Sequence, residues 1–180
     1  MSTPTPAILV LGGTGTVGSR IVSQLAASSH PHRILAASRS TTQNAVAPKT
    51  DSPKVQRVPF DWSNTDTWED LFRKDKDSPT TTEITAVFLI APPWLGAEQI
   101  MIDLVDLARG RGVPRFVLLS ASPLPAGAPA MGKVHAYLQE LGQRGEVEWA
   151  ALRPTWFQGM FFFFFFVTPL YGLSRVSGLV

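Results

Sequence analysis

Gly12-Gly13-Thr14-Gly15-Thr16-Val17-Gly18 follows the apolar run Ala7 to Leu11 and opens a helical pattern near Val17. Glycines at 12, 15 and 18 keep the spacing that cradles a dinucleotide pyrophosphate. The first allows a tight turn, the second lets the backbone approach phosphate, and the third lets helix pack closely on strand. A helix starting at this point offers unpaired N–H groups and the positive end of its dipole to an anion. The strand–turn–helix setting gives the motif its weight, since a glycine-rich turn with no ligand needs no such context.

Outward from this turn the chain alternates. Ala7 to Leu11 reads as a buried parallel strand, Val17 to Ser28 as a helix, Arg33 to Ala37 as a second strand and Val55 to Phe60 as a third. Residues 38–54 read as a polar surface loop. Ser63 and Asp66 suggest a capping box for a short helix, Asp66 to Arg73, before a solvated loop from Lys74 to Thr82. Ile84 to Ala91 is the fourth strand. Ala97 to Arg109 is a helix that Gly110 and Gly112 stop. Arg115 to Leu119, Met131 to Leu141 and Val147 to Leu152 read as strand, helix and sixth strand, with a Pro/Ala/Gly loop from Ser122 to Pro129. Strands alternating with helices predict an α/β fold, a Rossmann-like doubly wound parallel sheet of about six strands with its ligand beyond the strand C-termini.

Composition narrows the function. The 180 residues are 44% hydrophobic and 17% charged, which is ordinary for one globular domain. The net charge of +2, with no basic block, gives no reason to expect nucleic acid. The absence of cysteine removes disulfides, thiolate chemistry and cysteine-ligated zinc. It fits a reducing cytosol, and Met1 to Pro6 lacks the pattern of a signal peptide, so a cytoplasmic protein is expected. His30, His32 and His135 are scattered, so no metal is expected.

The second strand ends in Ala37-Ser38-Arg39-Ser40. Chains that prefer NAD usually place an acid there on the ribose 2′-hydroxyl. None is present, and Ser38 with Arg39 suits a 2′-phosphate, so NADP(H) is favoured. Arg39 also reads as a solvated loop arginine. Two readings of Asp61 stand: a partner for the adenine amino group, or a residue of the turn into the next helix. Ala91-Pro92-Pro93-Trp94 ends the fourth strand where the cofactor's second half should lie, with Pro92 against it. Ser120 and Ser122 end the fifth strand on the nicotinamide side, and Lys133 and His135 follow on the next helix.

The chain resembles the atypical short-chain dehydrogenases with NmrA-like domains in its glycine turn and in Gly112-Val113-Pro114-Arg115-Phe116-Val117-Leu118-Leu119-Ser120-Ala121-Ser122. Met131-Gly132-Lys133-Val134-His135, Leu152-Arg153-Pro154-Thr155-Trp156-Phe157, Phe60-Asp61-Trp62 and Asp66-Thr67-Trp68 are similar to fungal ergot alkaloid reductases of the festuclavine and agroclavine dehydrogenase type. The resemblance implies NADPH-dependent reduction of an iminium, formed when chanoclavine-I aldehyde cyclises, to a clavine alkaloid such as festuclavine. It covers residues 7–157, taken as the NAD(P)-binding domain over residues 1–157.

Site readings follow, each beside a blander one. Lys133 holds the nicotinamide ribose or is an exposed helix lysine. Ser122 touches substrate or nicotinamide, or caps a turn. His135 reads as a packed helix histidine more than a catalyst, and Tyr137 as pointing elsewhere. Trp94, Trp156 and Phe157 stack on a flat indole system or pack in the core, the latter preferred for Phe157. Arg153-Pro154 turns over the cofactor or is only a strand end. Ordinary short-chain dehydrogenases use a tyrosine four residues before the lysine as general acid. Pro129 stands there. Reduction of C=N⁺ needs no proton donor, since hydride reaches carbon and nitrogen becomes a neutral amine. The same vacancy suits a non-catalytic NADP-binding regulator.

Phe161 to Phe166 breaks the pattern with six consecutive phenylalanines. A membrane tail needs roughly 18 uninterrupted apolar residues, and Gln158, Gly159, Thr168, Pro169 and Gly172 interrupt this one. A buried strand is the second reading, and translated T-rich non-coding sequence, since T-runs encode phenylalanine, is the third and the one adopted. Residues 158–180 are then an aberrant poly-Phe tail, not a domain, and most of the C-terminal substrate region of the family is lacking, or the chain is an inactive truncated remnant. A small-molecule alkaloid intermediate is the expected partner, with no membrane, and a longer homologous subunit would supply the missing walls.

Overall fold

The computed structural model describes residues 5–39, 52–72 and 82–155. Along them run β1 (Thr5–Leu11), α1 (Thr16–Ala27), β2 (Arg33–Ser38), β3 (Val55–Pro59), α2 (Asp66–Phe72), β4 (Thr82–Leu89), α3 (Glu98–Gly110), β5 (Arg115–Leu119), α4 (Met131–Gln143) and β6 (Glu148–Leu152). The strands form one parallel sheet in the order β3-β2-β1-β4-β5-β6. The chain starts in the middle, steps outward to β3, returns to lay β4 beside β1, and then steps outward the other way. That reversal opens a crevice at the carboxyl ends of β1 and β4, where such sheets bind ligands.

The apolar runs are continuous because the central strands are covered on both faces. In β1, Leu9 and Leu11 join one core cluster with Met101, Leu104, Val134 and Leu138 of α3 and α4. Val10 between them joins another with Val22 of α1, Ile34 and Phe88. Helical spacing does the rest: Met101, Leu104, Val105 and Ala108 line the inner face of α3, and Val134, Leu138 and Leu141 that of α4.

The sequence reading placed all of these elements, and its boundaries shift for local reasons. β4 starts earlier, at Thr82, because it pairs with β1 from Thr5 onward, and ends at Leu89 ahead of the proline pair. Gly110 stays inside α3, and Gly112, at φ +93°, takes the left-handed position beyond it. The capping box is corrected. The Ser63 hydroxyl donates to Asp61 Oδ1 (2.7 Å), and the Asp66 N–H donates to Asn64 Oδ1 (3.1 Å). Trp156, Phe157, the poly-Phe run and most of the two long loops lie outside the described residues.

Leu104 is fully buried and Leu95 is 97% exposed. Leu104→Ala therefore costs about 2–5 kcal/mol of unfolding free energy in urea titration, while Leu95→Ala leaves the midpoint nearly unchanged.

Candidate cofactor site

Each glycine of the turn has a separate physical reason. Gly12 adopts φ +62°, and its carbonyl accepts the Gly15 N–H at 2.9 Å. Gly13 donates to the Ala37 carbonyl (2.9 Å), and a Cβ on it would lie 2.9 Å from Ala36 Cα. A Cβ on Gly18 would lie 2.1 Å from the Gly12 carbonyl oxygen. The sequence reading gave Gly13 no packing role, because its contact is with β2, some twenty residues on. Gly15 and Thr16 are exposed, Val17 is half-buried, and Gly13 and Gly18 are buried. α1 carries no side-chain cap at Gly15 and no acid in its first turn, so its N-terminal N–H groups remain available to an anion.

A cavity of about 210 Å³ opens beside this turn. It runs across the ends of β1, β2, β3 and β4: Gly12, Thr14 and Gly15, then Ser38 and Arg39, then Phe60 to Trp62, and Ile90 to Trp94. Ser38 is buried, and its carbonyl accepts the Phe60 N–H. Arg39 is exposed. Asp61 is a residue of the turn into α2, as one of its two sequence readings has it. Its Oδ1 accepts the Ser63 N–H and hydroxyl, and it also lines the cavity. Those two hydrogen bonds, with the Arg39 charge behind them, hold its carboxyl below the usual aspartate range. The segment is anchored by aromatic packing. Phe60, Trp62 and Trp68 pack with ring centroids 5.0–6.2 Å apart, and Trp68 Nε1 donates to the Asp61 carbonyl at 2.8 Å. Pro92 is buried in the opposite wall.

The ends of β5 and β6 form the next part of the same sheet edge. Ser120 is buried, its N–H donates to the Leu152 carbonyl, and its hydroxyl has no partner among the described residues. Ser122 donates its N–H to the Pro154 carbonyl. Arg153 donates to the Ser122 carbonyl (2.6 Å) and the Ala121 carbonyl (3.4 Å), so it ties the two strand ends together. Lys133 Nζ lies 2.7 Å from Glu98 Oε1. This bond holds the Glu98 carboxyl below its usual range. Sequence reasoning missed Glu98: an acid in a first helical turn is expected from the dipole alone, and nothing local announces a partner 35 residues away.

His135 rests on Trp149, ring centroids 5.3 Å apart, and burial pushes its imidazole down, with the Arg153 charge adding to it. The Tyr137 hydroxyl donates to Asp106 Oδ1 at 2.5 Å, on α3. Burial first, and that bond next, push the phenol up to about 12. Among the described residues no group of three or more His, Asp or Glu could hold a metal, and no helix is long and apolar enough to cross a membrane.

Two predictions follow from this geometry. Gly18→Ala forces the turn apart and loses both stability and dinucleotide binding, whereas Gly110→Ala, with open space around its Cβ, is neutral or gains up to about 1 kcal/mol; thermal melts and a binding titration read both. Tyr137 has a raised folded pKa, so its contribution is full below the unfolded value near 10 and is lost as pH rises toward about 12. Stability should therefore decline across that window in the wild type, and Tyr137→Phe should flatten the decline.

Comparison with known proteins gives the family and the fold. The sequence matches the NAD(P)H-binding family over residues 12–159. It is 41% identical over 150 residues to festuclavine synthase II of Penicillium roqueforti, covering 83% of this chain and 47% of that protein. It is 33% identical over 154 residues to agroclavine dehydrogenase of Claviceps fusiformis, covering 86% and 48%. The chain thus spans about half the length of the curated relatives it matches. The fold is similar to part of the Citrobacter sp. triphenylmethane reductase complexed with NADP(H), with TM-score 0.62, 18% identity, and 86% of this chain and 51% of that one covered. Yeast methylglyoxal/isovaleraldehyde reductase complexed with NADPH gives 0.61 and 20%, covering 83% and 54%. With its glycine turn, uncapped helix and strand-end cavity, the chain belongs to the NAD(P)H-binding family.

Proposed function

We propose that this chain is the cofactor-binding part of an NADPH-dependent reductase, or a subunit of one, that reduces the iminium derived from chanoclavine-I aldehyde to a clavine alkaloid such as festuclavine. The observation that carries the cofactor choice is the end of β2, where Ser38 and Arg39 line the cavity and no acid stands to meet a ribose 2′-hydroxyl. The relatives' names support the substrate class. When bound, NADPH supplies the hydride. The turn and α1 would hold its pyrophosphate, Arg39 its 2′-phosphate, Asp61 its adenine amino group, and Pro92 and Ser120 would flank its path along the strand ends, with Ser122 nearest substrate.

Among the described residues around that path, none is set to donate a proton. Tyr137 is turned to Asp106, Pro129 stands four residues before Lys133, and the Lys133 ammonium is held by Glu98. An iminium acceptor requires none, because the product amine is neutral once hydride is added. The same arrangement favours a second reading, a regulator that binds NADP(H) and turns nothing over. A cytoplasmic setting goes with either.

The test adds the cyclised iminium to the chain, alone and mixed with a longer homologous subunit, and follows NADPH oxidation at 340 nm. Iminium-dependent oxidation by the chain alone, or a gain in rate over the longer subunit alone, supports the reductase; tight NADPH binding with neither favours the regulator. In binding titrations Arg39→Ala should weaken NADPH by about tenfold and leave NADH nearly unchanged. Equal loss for both cofactors would remove Arg39 from the 2′-phosphate.

A further inference from the structure

We propose that Trp94 is the platform on which the adenine ring of the cofactor stacks, rather than a wall for substrate. The inference rests on the proposed NADPH reading. The cavity that contains Trp94 is the one that contains Ser38, Arg39 and Asp61, so Trp94 shares its space with the adenosine end of the site. At about 210 Å³ the cavity is smaller than the ~300–1,000 Å³ usual for a whole small-molecule ligand, and takes one portion of a dinucleotide.

Among the described residues two tryptophans line it, and one of them has its ring free. Trp62 is 8% exposed and its ring is engaged edge-on by Phe60 and Trp68. Trp94 is 45% exposed and has no ring partner among the described residues. It follows Pro92 and Pro93, which fix the backbone as it leaves β4, and precedes Gly96, whose φ of +77° turns the chain into α3. A large apolar ring is thereby left open to water beside the phosphate-binding turn. A purine face is the chemistry that covers it, since every base offers a π-surface to an aromatic side chain.

The experiment uses the full chain and titrates adenosine 2′,5′-bisphosphate, 5′-AMP and nicotinamide mononucleotide, read by tryptophan fluorescence and by calorimetry. In Trp94→Leu both adenine fragments should weaken by about tenfold, and nicotinamide mononucleotide should be unaffected. Trp94→Phe, which keeps an aromatic face, should retain most of the affinity, and unchanged thermal melts verify that the exposed site was altered without unfolding. Unchanged binding of both adenine fragments to Trp94→Leu overturns the proposal while leaving the cofactor reading intact. Failure of the wild-type chain to bind either fragment overturns the cofactor reading and the proposal together.

Discussion

Where α1 passes the end of β1, the place for a side chain is already taken by a backbone oxygen. The Gly12 carbonyl lies 2.1 Å from where a Gly18 Cβ would be, so the helix can start this close to the strand only with glycine there. The close start has two consequences. It aims the first-turn N–H groups of α1 across the carboxyl edge of the sheet, and it keeps the turn low enough for the ends of β2, β3 and β4 to wall one continuous cavity with it. Gly13 extends the same constraint sideways, because its contact with Ala36 lets β2 stand beside the turn and brings Ser38 and Arg39 to the cavity.

The far wall depends on aromatic packing. β3 is a sheet edge, and the segment after it would have little to hold it without Phe60, Trp62 and Trp68. Trp68 reaches back from α2 to bond the Asp61 carbonyl, and the Thr67 hydroxyl accepts the Asp61 N–H at 3.0 Å. The segments Phe60-Asp61-Trp62 and Asp66-Thr67-Trp68 are thus one device that clamps an acidic residue over the cavity.

Much of this was legible in the chain because the signals are local. Strand, turn and helix follow from the run Ala7 to Leu11, the glycines and the 3.6-residue spacing in α3 and α4, and the strand order agrees with a doubly wound sheet. Interactions between distant residues were not legible. The Lys133–Glu98 pair joins two helices, Arg153 bonds carbonyls across the β5–β6 ends, and Gly13 packs on β2. None of these partners has a spacing that periodicity can read. The position of Trp94 belongs to the same class: its neighbours in sequence are Pro93 and Leu95, and the residues that line the cavity with it come from three other strand ends.

The charge arrangement around the ends of β5 and β6 has a bearing on the proposed chemistry. An unpaired ammonium at Lys133 would repel a cationic substrate, and Glu98, 2.7 Å away, offsets that charge. The Arg153 guanidinium is directed into the carbonyls of Ala121 and Ser122, whose dipoles reduce its field toward the cleft. Neither group is set to donate a proton, and Tyr137 is tied to Asp106 with its phenol pushed up to about 12. A ketone reductase built this way would leave an alkoxide unprotonated, whereas addition of hydride to a C=N⁺ group extinguishes a charge and leaves none to neutralise. Positioning then becomes the main demand on the protein. On the proposed reading the strand ends would hold the cofactor side of that geometry, and the placing of the acceptor carbon against the hydride donor would decide the rate.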